Sequence, residues 1–198
     1  MKIVTGLFDT YNDAEAAVSN LEAAGIPSND ISLVSNNSDG RYNDESNAAE
    51  GAGAGAGIGA AVGGAGGLLT GLGLLAIPGV GPVVAAGWLA ATAAGAVAGA
   101  VVGGATGGLI GALTESGVSE SDAHVYAEGV RRGGTLVTAR VDETRQAEAE
   151  AILKGSNWVD PALRRRSYVE GGWKGFDPAL DPYSADQVAE ERRRYRRV

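Results

Sequence analysis

Leu75-Ala76-Ile77-Pro78-Gly79-Val80-Gly81-Pro82 is the stretch on which the reading of this chain turns. Two prolines and two glycines make it the strongest turn signal in the sequence, and it lies inside residues 51–114, which carry no charged side chain. Glycines recur at every fourth position before it, at Gly51, Gly55, Gly59, Gly63, Gly67 and Gly71. A second series follows it, at Gly87, Ala91, Gly95, Gly99, Gly103, Gly107 and Gly111. The two series mirror each other about Gly79, pairing Gly71 with Gly87, Gly63 with Gly95 and Gly55 with Gly103. A spacing of four puts small residues along one face of a helix, and such a face lets two helix backbones approach closely. The spacing therefore predicts an antiparallel glycine-zipper helical hairpin over 51–114, with Pro78, Gly79, Gly81 and Pro82 at its turn.

As helices, residues 51–76 would reach about 39 Å and 83–113 about 46 Å, more than a hydrocarbon core of about 30 Å. In water each glycine costs a helix roughly 1 kcal/mol against alanine. Lipid, or the dry core of an oligomer, would reverse that balance because an unsatisfied peptide group there costs several kcal/mol. A flexible Gly/Ala linker fits less well, since the block also carries Leu68, Leu72, Leu74, Val83, Trp88, Val97, Val101 and Ile110.

Outside the block the pattern is that of an ordinary α+β domain. Residues 1–35 read as a strand over Ile3 to Phe8, a helix capped by Asn12 with Glu15 and closed by Gly25, and a second strand over Ile31 to Ser35. Residues 36–50 are polar and read as a linker. Residues 115–160 supply a helix capped by Ser119 with Asp122, the strand Thr135 to Val141, a helix through Ala149 and Leu153, and a short strand at Trp158-Val159 stopped by Pro161. The order β-α-β, then α-β-α-β, is close to the ferredoxin-like split βαβ arrangement, with helices expected on one face of the sheet. Residues 161–198 form a charged tail in which Asp-Pro-Ala-Leu occurs at 160–163 and again at 177–180. The tail is expected to be extended, wrapping a partner or its own domain, with a short charged helix after Ser184 and Gln187.

Charge and residue types narrow the chemistry. The net charge is −8, concentrated in the N-terminal part, which disfavours non-specific nucleic-acid binding. The basic cluster Arg192, Arg193, Arg194, Arg196 and Arg197 is the candidate contact for an anionic surface, either lipid headgroups or an acidic face of a neighbouring copy. There is no cysteine and a single histidine, His124, so no transition-metal site can be completed. Glycine patterns near Gly64 follow a polar linker instead of a strand and lack a Walker lysine, so neither nucleotide fingerprint has its context. Glu128 with Arg131 and Arg132 could hold an anion, although basic residues at a helix C-terminus are explained by the helix dipole. Without a partner base no nucleophile can be argued, so the expectation is a non-enzymatic protein with no cofactor, metal or small-molecule substrate. The first residues lack the apolar core of a secretory leader, which points to the cytoplasm.

Val4-Thr5-Gly6-Leu7-Phe8-Asp9 with Ala14-Glu15-Ala16-Ala17 resembles the opening of bacterial heat-induced and general-stress-protein domains. So do Gly117-Val118-Ser119-Glu120, Tyr126 and Glu128 to Val137, and such proteins often carry a glycine-rich block with this Leu-Ala-Ile-Pro-Gly-Val-Gly-Pro turn between their halves. The resemblance covers about residues 2–160. It implies a ferredoxin-like α+β domain and a link to stress response, and it brings no catalytic residues. Taken together, the expectation is a stress-related structural protein that self-associates through the hairpin and associates with the inner membrane, or alternatively a soluble protein whose hairpins form the core of a large homo-oligomer or filament.

Overall fold

Strand β1 (Lys2–Phe8) alternates its side chains between two faces that are both apolar, and the rest of the domain is built on that fact. The computed structural model describes residues 1–38, 40, 73–77, 79–92 and 108–195. Helix α1 (Tyr11–Ala23) follows, burying Tyr11, Ala14, Ala17, Val18 and Leu21 at helical spacing. Its N-cap is Thr10, whose Oγ1 accepts from the Asp13 N–H at 3.2 Å. This corrects the expected Asn12 cap: Tyr11 is buried as the first helical residue, so the start moves two positions upstream. At the other end the Ile26 N–H reaches Leu21 O at 3.0 Å, with Gly25 at φ +84°, the left-handed closure expected of glycine.

Five strands form one antiparallel sheet in the order β1, β5 (Thr135–Val141), β2 (Ile31–Asn36), β4 (Gly81–Ala86), β3 (Gly73–Ile77). β5 lies between β1 and β2 and runs antiparallel to both, with Thr138 opposite Thr5 on one side and Ser32 on the other. The sheet is thus the expected mixed α+β kind, but helices cover both of its faces. Val4, Phe8, Leu33, Val137 and Ala139 pack under α1 and α4 (Gln146–Gly155). Leu7, Val34, Leu136 and Ala85 pack under α2 (Leu109–Glu115) and α3 (Glu120–Arg131). The cause is the sequence of the interior strand β5, Thr-Leu-Val-Thr-Ala-Arg-Val, buried along nearly its whole length. A sheet apolar on both sides must be covered on both sides.

The second correction concerns the hairpin. Residues flanking the Gly79 turn are strands, not helices, and they extend the sheet beyond β2. The mirror centre is nevertheless kept: Ile77 pairs with Gly81, Leu75 with Val83 and Gly73 with Ala85, each pair symmetric about Gly79. Adjacent β-branched Val83 and Val84 favour a strand, Pro82 opposes a helix interior, and Val83 and Val84 are buried. The turn closes with the Val80 N–H on Ile77 O at 3.0 Å. A helical turn at 88–92 follows, capped by Ser32 Oγ, which accepts from the Leu89 N–H at 2.9 Å.

The expected strand at Trp158-Val159 is a single bridge, in which the Val159 N–H donates to Leu7 O at 2.8 Å. It stops there because Asp160 turns the chain into helix α5 (Pro161–Glu170), its Oδ1 accepting from the N–H groups of Ala162 and Leu163. A last helix, α6 (Ala185–Tyr195), starts at Ser184, whose Oγ and main chain exchange hydrogen bonds with Gln187 as expected. Residues 161–170 are therefore helical where an extended tail was expected, and the segment wraps its own domain.

Candidate functional site: the hairpin tip and the C-terminal segment

The tip of the β3–β4 hairpin rests on residues 176–182. A Cβ on Gly79 would lie 2.5 Å from Pro178 Cα, and one on Gly81 2.5 Å from Pro182 Cβ. Glycine is needed at both positions for a second reason, since φ is +73° and +92°. The two copies of Asp-Pro-Ala-Leu have different roles: the first caps α5, and the second makes a turn in which Asp177 Oδ1 accepts from the Ala179 N–H at 2.9 Å. The single histidine belongs to this joint, His124 Nδ1 accepting from the Phe176 N–H at 3.2 Å.

Behind the joint lies a buried ionic network. Glu128, fully buried, accepts from Arg131 at 2.6 and 3.0 Å and from Arg132 Nε at 2.6 Å. Arg132 also donates to Glu191 of α6 at 2.9 Å, and Arg131 reaches Asp181 O at 3.3 Å. Burial works against the charge on Arg132, but its hydrogen bonds to Glu128 and Glu191 outweigh that and raise its pKa. Arg164 makes a two-pronged bond to Asp9, both distances 2.8 Å. Guanidinium and phenol rings alternate through the joint: Arg164 lies 3.6 Å from the Tyr195 ring centre, Arg132 4.2 Å from that of Tyr168, and Arg131 4.9 Å from that of Tyr183. Stacks of this kind contribute up to about 2 kcal/mol each when desolvated.

The candidate anion site at Glu128, Arg131 and Arg132 is therefore occupied by the protein itself. The basic cluster divides: Arg192 turns inward to Gly133 O at 2.8 Å, while Arg193 and Arg194 are exposed and bond within their own helix, to Ala189 O and Glu191. Arg196 and Arg197 lie outside the described residues, as do Pro78 and the expected packing glycines 51, 55, 59, 63, 67, 71, 95, 99, 103 and 107. Of the rest, Gly87 has φ +87° and ends β4, and Gly111 lies within α2. Among the described residues no group of acids and histidine could hold a metal, and no helix is long and apolar enough to cross a membrane.

A second feature opens on the far edge of the sheet. An open groove of about 320 Å³ runs along β1 at Ile3, Val4 and Thr5, between Val118 and Tyr126 on one side and Leu153 and Trp158 on the other. Burial, with Asp122 and Asp160 nearby, raises the pKa of the Tyr126 phenol that forms part of its wall.

Sequence reading missed the Arg–Tyr ladder. Its only signal was that Arg164, Tyr168, Tyr183, Glu191 and Tyr195 are interleaved in a segment expected to be an extended tail. No family model, no curated protein and no solved structure matches the chain.

Proposed function

We propose that the chain is a non-enzymatic, stress-related structural protein, a ferredoxin-like α+β domain of the heat-induced kind that self-associates into a large homo-oligomer through its glycine-rich stretches. The observation that carries this reading is the β-hairpin at 73–86, which sits in the middle of the glycine-rich stretch, extends the sheet and is held by the C-terminal segment. Gly40 and Gly73, and Thr92 and Gly108, are thus the points on the domain between which the two glycine series are tethered. Only fifteen residues separate Thr92 from Gly108. A helix of that length rises about 22 Å, short of a hydrocarbon core of about 30 Å, before any return. That favours packing against other copies over a membrane-spanning hairpin.

The test is sizing of the native and purified protein, with and without detergent, after an alkaline carbonate wash of the membrane pellet. A large particle without detergent, lost on replacing Gly63 and Gly99 with Leu, supports assembly. Retention in the washed membrane, with release only by detergent, would overturn it in favour of insertion.

A second reading, peripheral association with the inner membrane on its cytoplasmic side, is favoured by the exposed pair Arg193 and Arg194 at the end of α6. Each basic residue near an anionic surface contributes about 1 kcal/mol. Co-flotation with phosphatidylserine vesicles that disappears in Arg193→Glu/Arg194→Glu protein would support it; flotation with neutral vesicles alone would not.

A further inference from the structure

The two outer strands of the sheet are β1 and β3. We propose that copies join edge to edge, β3 of one copy adding as a strand beside β1 of the next, and this rests on the self-association reading above. On β1, main-chain groups alternate in direction along the strand. Leu7 O points outward, since it accepts from Val159. Ile3 and Thr5 therefore also present their N–H and C=O groups outward, into the groove. If the chain continued from Val159 as a strand, Pro161 would fall opposite Thr5; it begins a helix instead, and the segment at Trp158-Val159 ends after one bridge. Thr5 Oγ1, buried in the groove, also has no hydrogen-bond partner.

β3 is the opposite edge, and among the described residues its one strand partner is β4. Ile77 O is engaged in the turn by Val80, so by the same alternation Leu74 and Ala76 direct their main-chain groups outward. Edge strands are usually blunted by lysine, proline or a bulge. Gly73-Leu74-Leu75-Ala76-Ile77 has none of these and no charge. Val118, Tyr126, Leu153 and Trp158 offer such a strand apolar wall on either side of β1, although Asp122, Glu150 and Lys154 also line the groove. Successive antiparallel neighbours make β1 and β3 run in the same direction, so copies related by translation would pair β3 with β1 in parallel and continue one sheet. The contact joins two different surfaces, which produces a ring or an open filament, not a two-fold dimer. β1 against β1 of another copy is disfavoured, because each lies between its own helices.

The natural chain lacks cysteine, which makes cross-linking clean. Lys2→Cys and Ala76→Cys, both at exposed positions, are mixed as separate full-length chains and treated with a short bis-maleimide. The expected product is a mixed dimer, and a ladder of higher species from the doubly substituted chain. Thr5→Pro removes an outward N–H that does not pair with β5, and should weaken association at least tenfold with an unchanged far-ultraviolet circular dichroism spectrum. A covalent dimer from Lys2→Cys alone would show β1–β1 pairing and overturn the proposal. So would an intact particle that neither cross-links in the mixture nor responds to Thr5→Pro, although self-association would stand. A natural chain that sizes as a single copy at every concentration would overturn both.

Discussion

Glu128 takes up the charge of two arginines inside the domain. Replacing it with Ala leaves Arg131 and Arg132 buried beside each other with Glu191 as the remaining carboxylate. Removing one partner of a buried ion pair costs about 3–5 kcal/mol, so Glu128→Ala should lower urea-unfolding stability by that order. Glu128→Gln, which keeps an acceptor, should lose less. Equal, negligible losses for both would show that the network is solvated. This residue was visible in the sequence as part of Glu-Gly-Val-Arg-Arg, but Glu191, the second carboxylate on Arg132, is contributed from a distant helix and has no local signature.

At the scale of the element, the hairpin separates what the sequence carried from what it left open. The turn at Ile77 to Gly81 and its mirror centre at Gly79 were legible, because proline and glycine restrict the backbone locally. Helix against strand was not, because glycine and alanine at every fourth position suit a helix seam, while Val83 and Val84 gain more by pairing with the exposed edge of β2. That competitor is tertiary, and periodicity cannot see it. Gly79→Ala should show how firmly the C-terminal segment holds the tip. Gly25→Ala, at φ +84° with nothing within 4 Å, carries only the backbone cost of about 1 kcal/mol. Gly79→Ala adds a clash with Pro178, so it should cost measurably more and expose residues 176–182 to limited proteolysis. Equal costs in thermal unfolding would mean that the segment is not tightly seated.

Across the whole molecule, Tyr126, Tyr168 and Tyr195 lie in three different helices and all have raised pKa values, each chiefly because of burial. A phenol whose folded pKa exceeds its unfolded value near 10 contributes its full stability below pH 10. It loses that contribution as pH rises through 10 towards the folded value. The protein should therefore unfold cooperatively above about pH 10, with phenolate absorbance from these tyrosines appearing together with the loss of helix signal. Smooth titration ahead of unfolding would contradict their burial. The strand and helix order of 1–35 and 115–155 was readable at this scale from periodicity, whereas the cap of α1 and the single bridge at Val159 were not. The covering of both sheet faces is encoded in the continuous burial-prone run of β5, but a run so short has the same composition as a strand with one solvated face.

The position of β5 also sets a timetable. β1 and β2 are joined to each other only through a strand that begins 99 residues after Asn36. At about 5–20 residues per second, translation leaves the first two strands waiting roughly 5–20 s for their common neighbour, while the glycine-rich stretch emerges between them. A growing chain therefore carries the apolar β1 without its strand neighbour throughout that interval, whereas β2 can already pair with β4.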